Sequence, residues 1–129
     1  MHLQSLKAIY DQIGQMRITL DLQPAAIEVL TKEEEREILN IVREALSNCA
    51  RHAHAAQVRI SIRKRGEQIR ITVRDDGTGF ATAAGGVKRG YGLANMEARA
   101  RKMGGTLRVR SEPGHGTDIT AELSLEPIL

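Results

Sequence analysis

Aromatic residues are nearly missing from this chain of 129 residues, which has two tyrosines, one phenylalanine and no tryptophan. A surface that stacks nucleic-acid bases needs several aromatic rings, so this composition argues against a base-stacking platform. Cysteine is also scarce. Because Cys49 is the single cysteine, no disulfide can form within the chain, and a reducing, cytoplasmic location is expected.

Long apolar runs are absent as well. Apolar residues make up 41% of the sequence, yet no run approaches the roughly 20 residues that a membrane-spanning helix needs. The N-terminal residues Met1 to Gln4 lack the basic and then apolar pattern of a secretory signal. We therefore expect a single domain over residues 1–129, with no direct membrane insertion of this segment.

The net charge of +3 and the isoelectric point near 9.4 raise the question of a nucleic-acid partner. Many of the arginines fall at the polar positions of predicted strands, namely Arg59, Arg63, Arg70, Arg74, Arg108 and Arg110. This placement predicts one solvated, basic face of a sheet. Together with the few aromatics it leads us to expect no nucleic-acid partner, while a binding module that uses this face remains an alternative.

Hydrophobic periodicity predicts the secondary structure. Apolar residues at helical spacing predict helices over 3–13, from Lys32 into the fifties, and over 93–103. The second helix should begin with a capping box formed by Thr31 and Glu34. Alternating residues predict strands over 16–22, 57–63, 68–74, 106–110 and 118–125, with a hairpin connection at 64–67. The fold class should be α+β, a two-layer sandwich of a mixed, mainly antiparallel five-stranded sheet with three helices on one face.

Asp75 is the most informative polar residue because it continues the apolar positions of the preceding strand. Its carboxylate should point toward the core, where a charge is costly unless hydrogen-bond donors meet it. The exocyclic amine of an adenine is such a donor. The alternative is that Asp75 caps a glycine turn. Gly77 and Gly79 follow, and they leave room for a ligand to approach the backbone.

Three further motifs accompany Asp75. Glu44, Asn48 and His52 follow one another at four-residue spacing along the edge of the second helix, with Arg51 beside them. Each alone could be an ordinary surface residue. Two glycine-rich segments lie at 90–93 and 114–117, and the second could simply be a hairpin turn. The stretch 81–89 contains Gly85 and Gly86 without apolar periodicity, which predicts a mobile loop and a candidate lid.

The ordered set of motifs resembles the GHKL superfamily of ATPases and kinases. Residues 41–53 are similar to the N box of that superfamily. The segment 90–100 and the short lid resemble the catalytic and ATP-binding domain of sensor histidine kinases of the nitrate-sensor and DesK subfamily. The resemblance covers essentially the whole chain. Two departures are Asp76, where many relatives have Asn, and the lack of a phenylalanine-bearing box in the lid.

The resemblance implies a site for ATP and Mg²⁺. Asn48 would bind the metal, and Glu44 would support the metal or orient a water. Asp75 would accept a hydrogen bond from the adenine amine. The remaining nucleotide contacts implied by the resemblance are Arg51 and His52 near the phosphates, Gly77 and Gly79 around the base, Lys88, Gly90, Tyr91, Gly92 and Leu93 at the end of the lid, and Gly116 and Thr117 on the adenine side.

The resemblance also implies partners. A phosphoacceptor histidine of this subfamily is followed by an acid, and none of the four histidines here is. We therefore expect a catalytic domain without its dimerisation domain, which would carry the acceptor histidine, with a response regulator acting downstream. The alternatives are a serine kinase of the anti-sigma-factor type and an ATP-gated clamp of the gyrase or MutL kind.

Overall fold

The computed structural model describes Gln4 and residues 16–50, 57–78 and 92–125. These ranges contain five strands and three helices. In chain order the elements are β1 (Arg17–Leu22), α1 (Pro24–Glu28), α2 (Lys32–Asn48), β2 (Gln57–Arg65), β3 (Gln68–Asp75), α3 (Leu93–Lys102), β4 (Thr106–Ser111) and β5 (Thr117–Ser124). The helix predicted over 3–13 and the loop predicted over 81–89 lie outside the described residues.

The five strands form one sheet in the order β1-β2-β3-β5-β4. β1 and β2 are parallel, and the other three neighbouring pairs are antiparallel. A parallel pair needs a crossover connection, which α1 and α2 provide. The sheet is therefore mixed and mainly antiparallel, and the predicted α+β sandwich is confirmed.

The hairpin between β2 and β3 is tighter than predicted. Arg65 pairs with Gln68, so the connection has two residues instead of the predicted four. Lys64 continues the ladder by pairing with Ile69, because strand pairing tolerates a charged residue whose end reaches solvent. Gly66 opens the turn with a φ of +58°, a conformation that matches the twist of a two-residue hairpin.

The core lies between the inner face of the sheet and the helices. The predicted apolar face of α2 is buried throughout, as are the inward residues of β2 and β3. The short helix α1 was not predicted, because five residues are too few to show a helical period. Pro24 starts it, where proline is well tolerated, and Ala26 buries it against the core.

The ends of α2 and α3 follow the sequence signals. Thr31 accepts a hydrogen bond from the amide of Glu34 at 3.1 Å and donates its own amide to Glu34 Oε1 at 2.8 Å, which confirms the capping box. After α3, Gly104 has a φ of +72°, and its amide donates to the carbonyl of Arg101 at 2.9 Å. The start of α2 and the end of α3 therefore lie where the sequence predicts them.

Candidate functional site

Asp75 lies at the end of β3, where three elements meet. It pairs with Val58 of β2 on one side and with Thr117 of β5 on the other. Its Oδ1 accepts the amide of Gly77 at 2.8 Å, and its Oδ2 accepts the thiol of Cys49 from the end of α2 at 3.4 Å. The carboxylate therefore faces the helix side, as the strand alternation predicts, and it also caps the glycine turn, while its role toward an adenine stays a prediction.

The charge of Asp75 is only partly compensated. Burial raises the pKa of its carboxyl above the ordinary value, although hydrogen bonds from Gly77, Cys49 and Thr117 act in the opposite direction. In the part of the chain that the structure describes, no lysine or arginine forms an ion pair with it. A carboxylate offers about four lone-pair positions, so it can accept a further donor.

Cys49 is the residue of this site that sequence reasoning missed. It continues the apolar face of α2, so no signal in the sequence distinguishes it from a core residue. The structure buries it to 2% exposure beneath Asp75. Burial and the neighbouring Asp75 raise the pKa of the thiol well above its usual range, and the thiol therefore stays protonated as a donor.

Glu44 and Asn48 lie one turn apart at the C-terminal end of α2. Asn48 is buried at 6% exposure, and Glu44 is half-buried. Glu44 packs against Gly92, the residue that precedes α3. A Cβ built on Gly92 would lie 2.9 Å from Glu44 Cδ, and the φ of Gly92 is +65°. The positive φ favours glycine there, whereas the end of the flexible Glu44 side chain can move to make space for a Cβ.

Gly116 packs against the backbone of the strand end that carries Asp75. Its φ is +77°, and a Cβ there would lie 3.2 Å from the carbonyl carbon of Asp75 and 3.3 Å from Asp76 Cα. Thr117 is buried, and its hydroxyl lies 2.8 Å from Ser111 Oγ, which also hydrogen-bonds the Gly116 carbonyl at 3.0 Å. The glycine-rich segment 114–117 thus packs directly against the end of the strand that carries Asp75.

Asp76, the predicted departure from the family pattern, extends the pairing of β2. Its Oδ1 accepts the amide of Gln57 at 2.9 Å, and its own amide donates to the Gln57 carbonyl at 3.2 Å. A third hydrogen bond joins the turn after β3 to the turn between β4 and β5, from the amide of Gly114 to the carbonyl of Thr78 at 2.6 Å. These bonds hold the segment after Asp75 in place.

Leu93 is 4% exposed and belongs to the hydrophobic core, so only its backbone amide is available to a ligand at the start of α3.

The structure brings part of the predicted site together around the same end of the sheet and of α2, namely Glu44, Asn48, Asp75, Gly77, Gly92, Gly116 and Thr117. The other predicted site residues lie outside the described residues and stay predictions, namely Arg51, His52, Gly79, Lys88, Gly90 and Tyr91.

The oxygen donors at the end of α2 suit a hard cation that keeps much of its own water. Within residues 16–50, 57–78 and 92–125, no group of three or more His, Cys, Asp or Glu side chains could hold a metal ion. Asn48 and Glu44 instead offer one amide and one carboxylate, the kind of sparse oxygen set that Mg²⁺ uses when phosphates and waters complete its shell.

Comparison with known proteins identifies the family. The profile of the family described as "Histidine kinase-, DNA gyrase B-, and HSP90-like ATPase" matches residues 33–127. The chain belongs to this ATPase family. The resemblance seen in the motifs is therefore confirmed, and an ATPase domain implies ATP binding.

Sensor kinases are among the most similar relatives. The sensor histidine kinase LiaS of Bacillus subtilis is 38% identical over 111 residues, which cover 85% of this chain and 29% of LiaS. The nitrate/nitrite sensor protein NarX of Escherichia coli is 35% identical over 82 residues, which cover 64% of this chain and 14% of NarX. The chain thus spans less than a third of the length of these relatives.

Solved structures show the same fold. The blue-light activated histidine kinase of Erythrobacter litoralis EL346 superposes with a TM-score of 0.74 at 23% identity, over 96% of this chain and 41% of that chain. The histidine kinase AdeS of Acinetobacter baumannii superposes with a TM-score of 0.73 at 24% identity, over 97% of this chain and 63% of that one. No helix in the described ranges is long and apolar enough to cross a membrane.

Proposed function

We propose that this chain is the catalytic and ATP-binding domain of a sensor histidine kinase. In this role it binds Mg²⁺-ATP and donates the γ-phosphate to a histidine on a separate dimerisation domain, on the cytoplasmic side, with a response regulator downstream. One observation carries the proposal. The carboxylate of Asp75 is held on the helix side of the sheet with acceptor capacity left over, at the junction of α2, β3 and β5.

The surroundings of Asp75 support an adenine there. Gly77 donates to one carboxylate oxygen and fixes the direction of the group. Gly116 lies so close to the Asp75 backbone that only a glycine fits, which keeps side chains out of this corner. Because a half-buried carboxylate without a cation is costly, a donor such as the exocyclic amine of adenine would stabilise it.

The end of α2 supports the phosphates and their metal. Asn48 and Glu44 supply the oxygens, and the first amides of α3 lie next to Glu44 through Gly92. A bound Mg²⁺ would neutralise phosphate charge there. Phosphoryl transfer depends mainly on such positioning and charge stabilisation, so this domain needs the acceptor histidine brought to it by another domain.

A reconstitution experiment tests the proposal. The chain is mixed with γ-labelled ATP, Mg²⁺ and the separate dimerisation domain of its parent kinase. We expect an acid-labile, base-stable label on the histidine of the added domain and no histidine self-labelling. Transfer should be slow, because separating the two domains removes their high effective concentration.

Matched variants sharpen the experiment. Asn48→Ala should abolish the labelling, because it removes a metal ligand. Asn40→Ala, which removes an asparagine two turns earlier on the same helix, should leave the labelling near the wild-type level. Self-labelling on serine or threonine would instead support the serine-kinase alternative, and equal losses in the two variants would contradict the role of Asn48.

A further inference from the structure

The outward face of the sheet carries a strong excess of positive charge. The five strands place eight arginines on this face, opposite the helices, and only three acids. We call this the basic face, and its charged residues are Arg17, Arg59, Arg63, Arg65, Arg70, Arg74, Arg108, Arg110, Asp21, Asp118 and Glu122. The face therefore has an excess of five positive charges, although the whole chain has a net charge of only +3.

The strand register places like charges directly opposite each other. Arg59 faces Arg74, and Arg63 faces Arg70, across the pair formed by β2 and β3. Like charges in such positions destabilise a sheet. The three acids offset part of this cost. Asp21 forms ion pairs with Arg59 and Arg63, which hold the pKa of its carboxyl below the usual range.

The other two acids each serve one arginine. Glu122 lies 3.1 Å from Arg70, and Asp118 lies 2.9 Å from Arg74. All four paired arginines remain partly exposed, from 42% for Arg70 to 67% for Arg74. Exposed pairs of this kind contribute at most about 1 kcal/mol each. Stability alone therefore gives no reason for concentrating so many arginines on one face.

Four of these arginines surround a shallow depression of about 190 Å³. Arg70 and Arg74 come from β3, and Arg108 and Arg110 come from β4, with β5 between them. Thr72 and Thr120, which pair across β3 and β5, provide hydroxyls there. In the described part of the chain, Arg108 and Arg110 form no ion pair. Guanidinium forks bind carboxylates and phosphates in two-pronged geometry.

We propose that the basic face docks an acidic protein surface, whose carboxylates bind over this depression. Charge complementarity is the first argument, since neither Arg108 nor Arg110 forms an ion pair among the described residues; Asp118, which lies opposite Arg110, is paired with Arg74. The second argument is that the face carries acidic as well as basic side chains. A nucleic acid presents an unbroken array of phosphates, which would meet Asp118 and Glu122 inside the depression. A protein surface can place a neutral or basic residue opposite these acids.

The sequence of the strands supports a protein over a nucleic acid. The five strands contain no aromatic residue that could stack a base. The docking surface is also independent of the nucleotide site. Asp75 contacts Cys49 on the helix side of the sheet, whereas the arginines extend from the other side. The acidic partner and the nucleotide can therefore bind at the same time.

Binding of a defined acidic probe tests the proposal. The probe is a fluorescent peptide in which Glu and Ser alternate, because its carboxylates then repeat about every 7 Å, the spacing of Arg108 and Arg110 along β4. Binding is followed by fluorescence anisotropy at low salt. We expect saturable binding that weakens as salt rises and does not change with Mg²⁺-ATP or in Asp75→Asn. A peptide of alternating Gln and Ser should not bind.

Charge-matched variants locate the site. Arg108→Gln with Arg110→Gln should weaken binding of the acidic peptide about ten-fold. Lys32→Gln with Arg36→Gln, which removes the same charge from exposed positions of α2, should change it less than about two-fold. Arg108→Lys with Arg110→Lys should give an intermediate loss, because lysine keeps the charge but not the fork.

Four results would overturn the proposal. The acidic peptide could fail to bind, or both glutamine double variants could weaken binding equally, which would mean a diffuse charge effect. A DNA duplex could bind more tightly than the peptide through Arg108 and Arg110, which would assign the face to nucleic acid. Self-association of the chain that Arg108→Gln with Arg110→Gln abolishes would assign it to a second copy.

Discussion

Two carboxylates are withdrawn from solvent along α2, one in its N-terminal half and one beside its C-terminal end, and their surroundings differ. Glu37, in the N-terminal half, is 5% exposed and lies 3.4 Å from Arg99 and 4.0 Å from Lys102 of α3. Asp75, beside the C-terminal end, meets the thiol of Cys49 and the backbone amides of Gly77 and Thr117. Within the described residues it has no cationic partner. The fold therefore pairs one carboxylate with two cations and, within the described residues, gives the other none.

This difference separates a structural acid from a candidate binding acid. The Glu37 pairs tie α2 to α3. Asp75 has a pKa raised by burial, and its donors occupy only part of its acceptor capacity. Burial alone would not distinguish the two residues, because Glu37 is the more buried of them. What distinguishes them is that Glu37 contacts two cations whereas Asp75 contacts neutral donors. Variants around each carboxylate test this account.

The largest effect is expected at the glycine that supports Asp75. Gly116→Ala adds a Cβ against the Asp75 backbone and forces a side chain into a φ of +77°. We expect the free energy of unfolding to fall by about 3 kcal/mol, as strain and steric overlap combine. Urea denaturation followed by circular dichroism measures this loss.

Gly114→Ala provides the control. Its φ of +82° is similar, yet a Cβ there would meet no atom within 4 Å. The free energy of unfolding of Gly114→Ala should therefore fall only by the cost of the backbone conformation, about 1 kcal/mol. Equal losses in the two variants would show that the close approach of Gly116 to Asp75 contributes nothing.

A smaller effect is expected at the structural acid. Glu37→Gln keeps the shape of the side chain but removes the charge that faces Arg99 and Lys102. Because both cations are partly exposed, we expect a loss of about 1 to 2 kcal/mol in the free energy of unfolding and no change in ATP affinity. Glu97→Gln, which removes an exposed pair with Arg101, should lose less than about 0.5 kcal/mol. A fall in ATP affinity in Glu37→Gln would break the distinction.

The smallest effect concerns the stability of the domain without nucleotide. Folding raises the pKa of Asp75, so the folded state binds its proton more tightly, and the ionised carboxylate destabilises the fold as pH rises through that pKa. Asp75→Asn should therefore be slightly more stable than the wild type near pH 7. The gain should vanish at about pH 3 and below, where the carboxyl is protonated in both states. Denaturation midpoints across this range would show it, and a loss of stability at pH 7 would contradict it.

The sequence was sufficient to predict most of the fold. The alternation of β1 to β5, the capping box at Thr31 and the apolar face of α2 are local signals, and each is confirmed. The errors also have local causes. α1 is too short to show a period, and the hairpin connection was predicted too long because Lys64 and Arg65 are charged but still pair.

The candidate site could be predicted only in part. The position of Asp75 follows from strand alternation, and the ordered motifs indicated that Glu44, Gly92 and Gly116 serve one site. The thiol of Cys49 could not be found, because its contact joins residues 26 positions apart and its own position looks like core. The pairing of Ser111 with Thr117 is hidden for a different reason, since the register of β4 and β5 creates it.

Nucleotide discrimination tests the central claim most directly. Calorimetry would compare ATP with inosine triphosphate, which has a carbonyl oxygen in place of the exocyclic amine. If Asp75 accepts from that amine, the wild type should prefer ATP by about ten-fold or more, because the carbonyl would face a carboxylate. Asp75→Asn should lose or reverse the preference, since its amide can donate to the carbonyl. Equal binding of both nucleotides by the wild type, or an unchanged preference in Asp75→Asn, would contradict the assignment of Asp75 to the base.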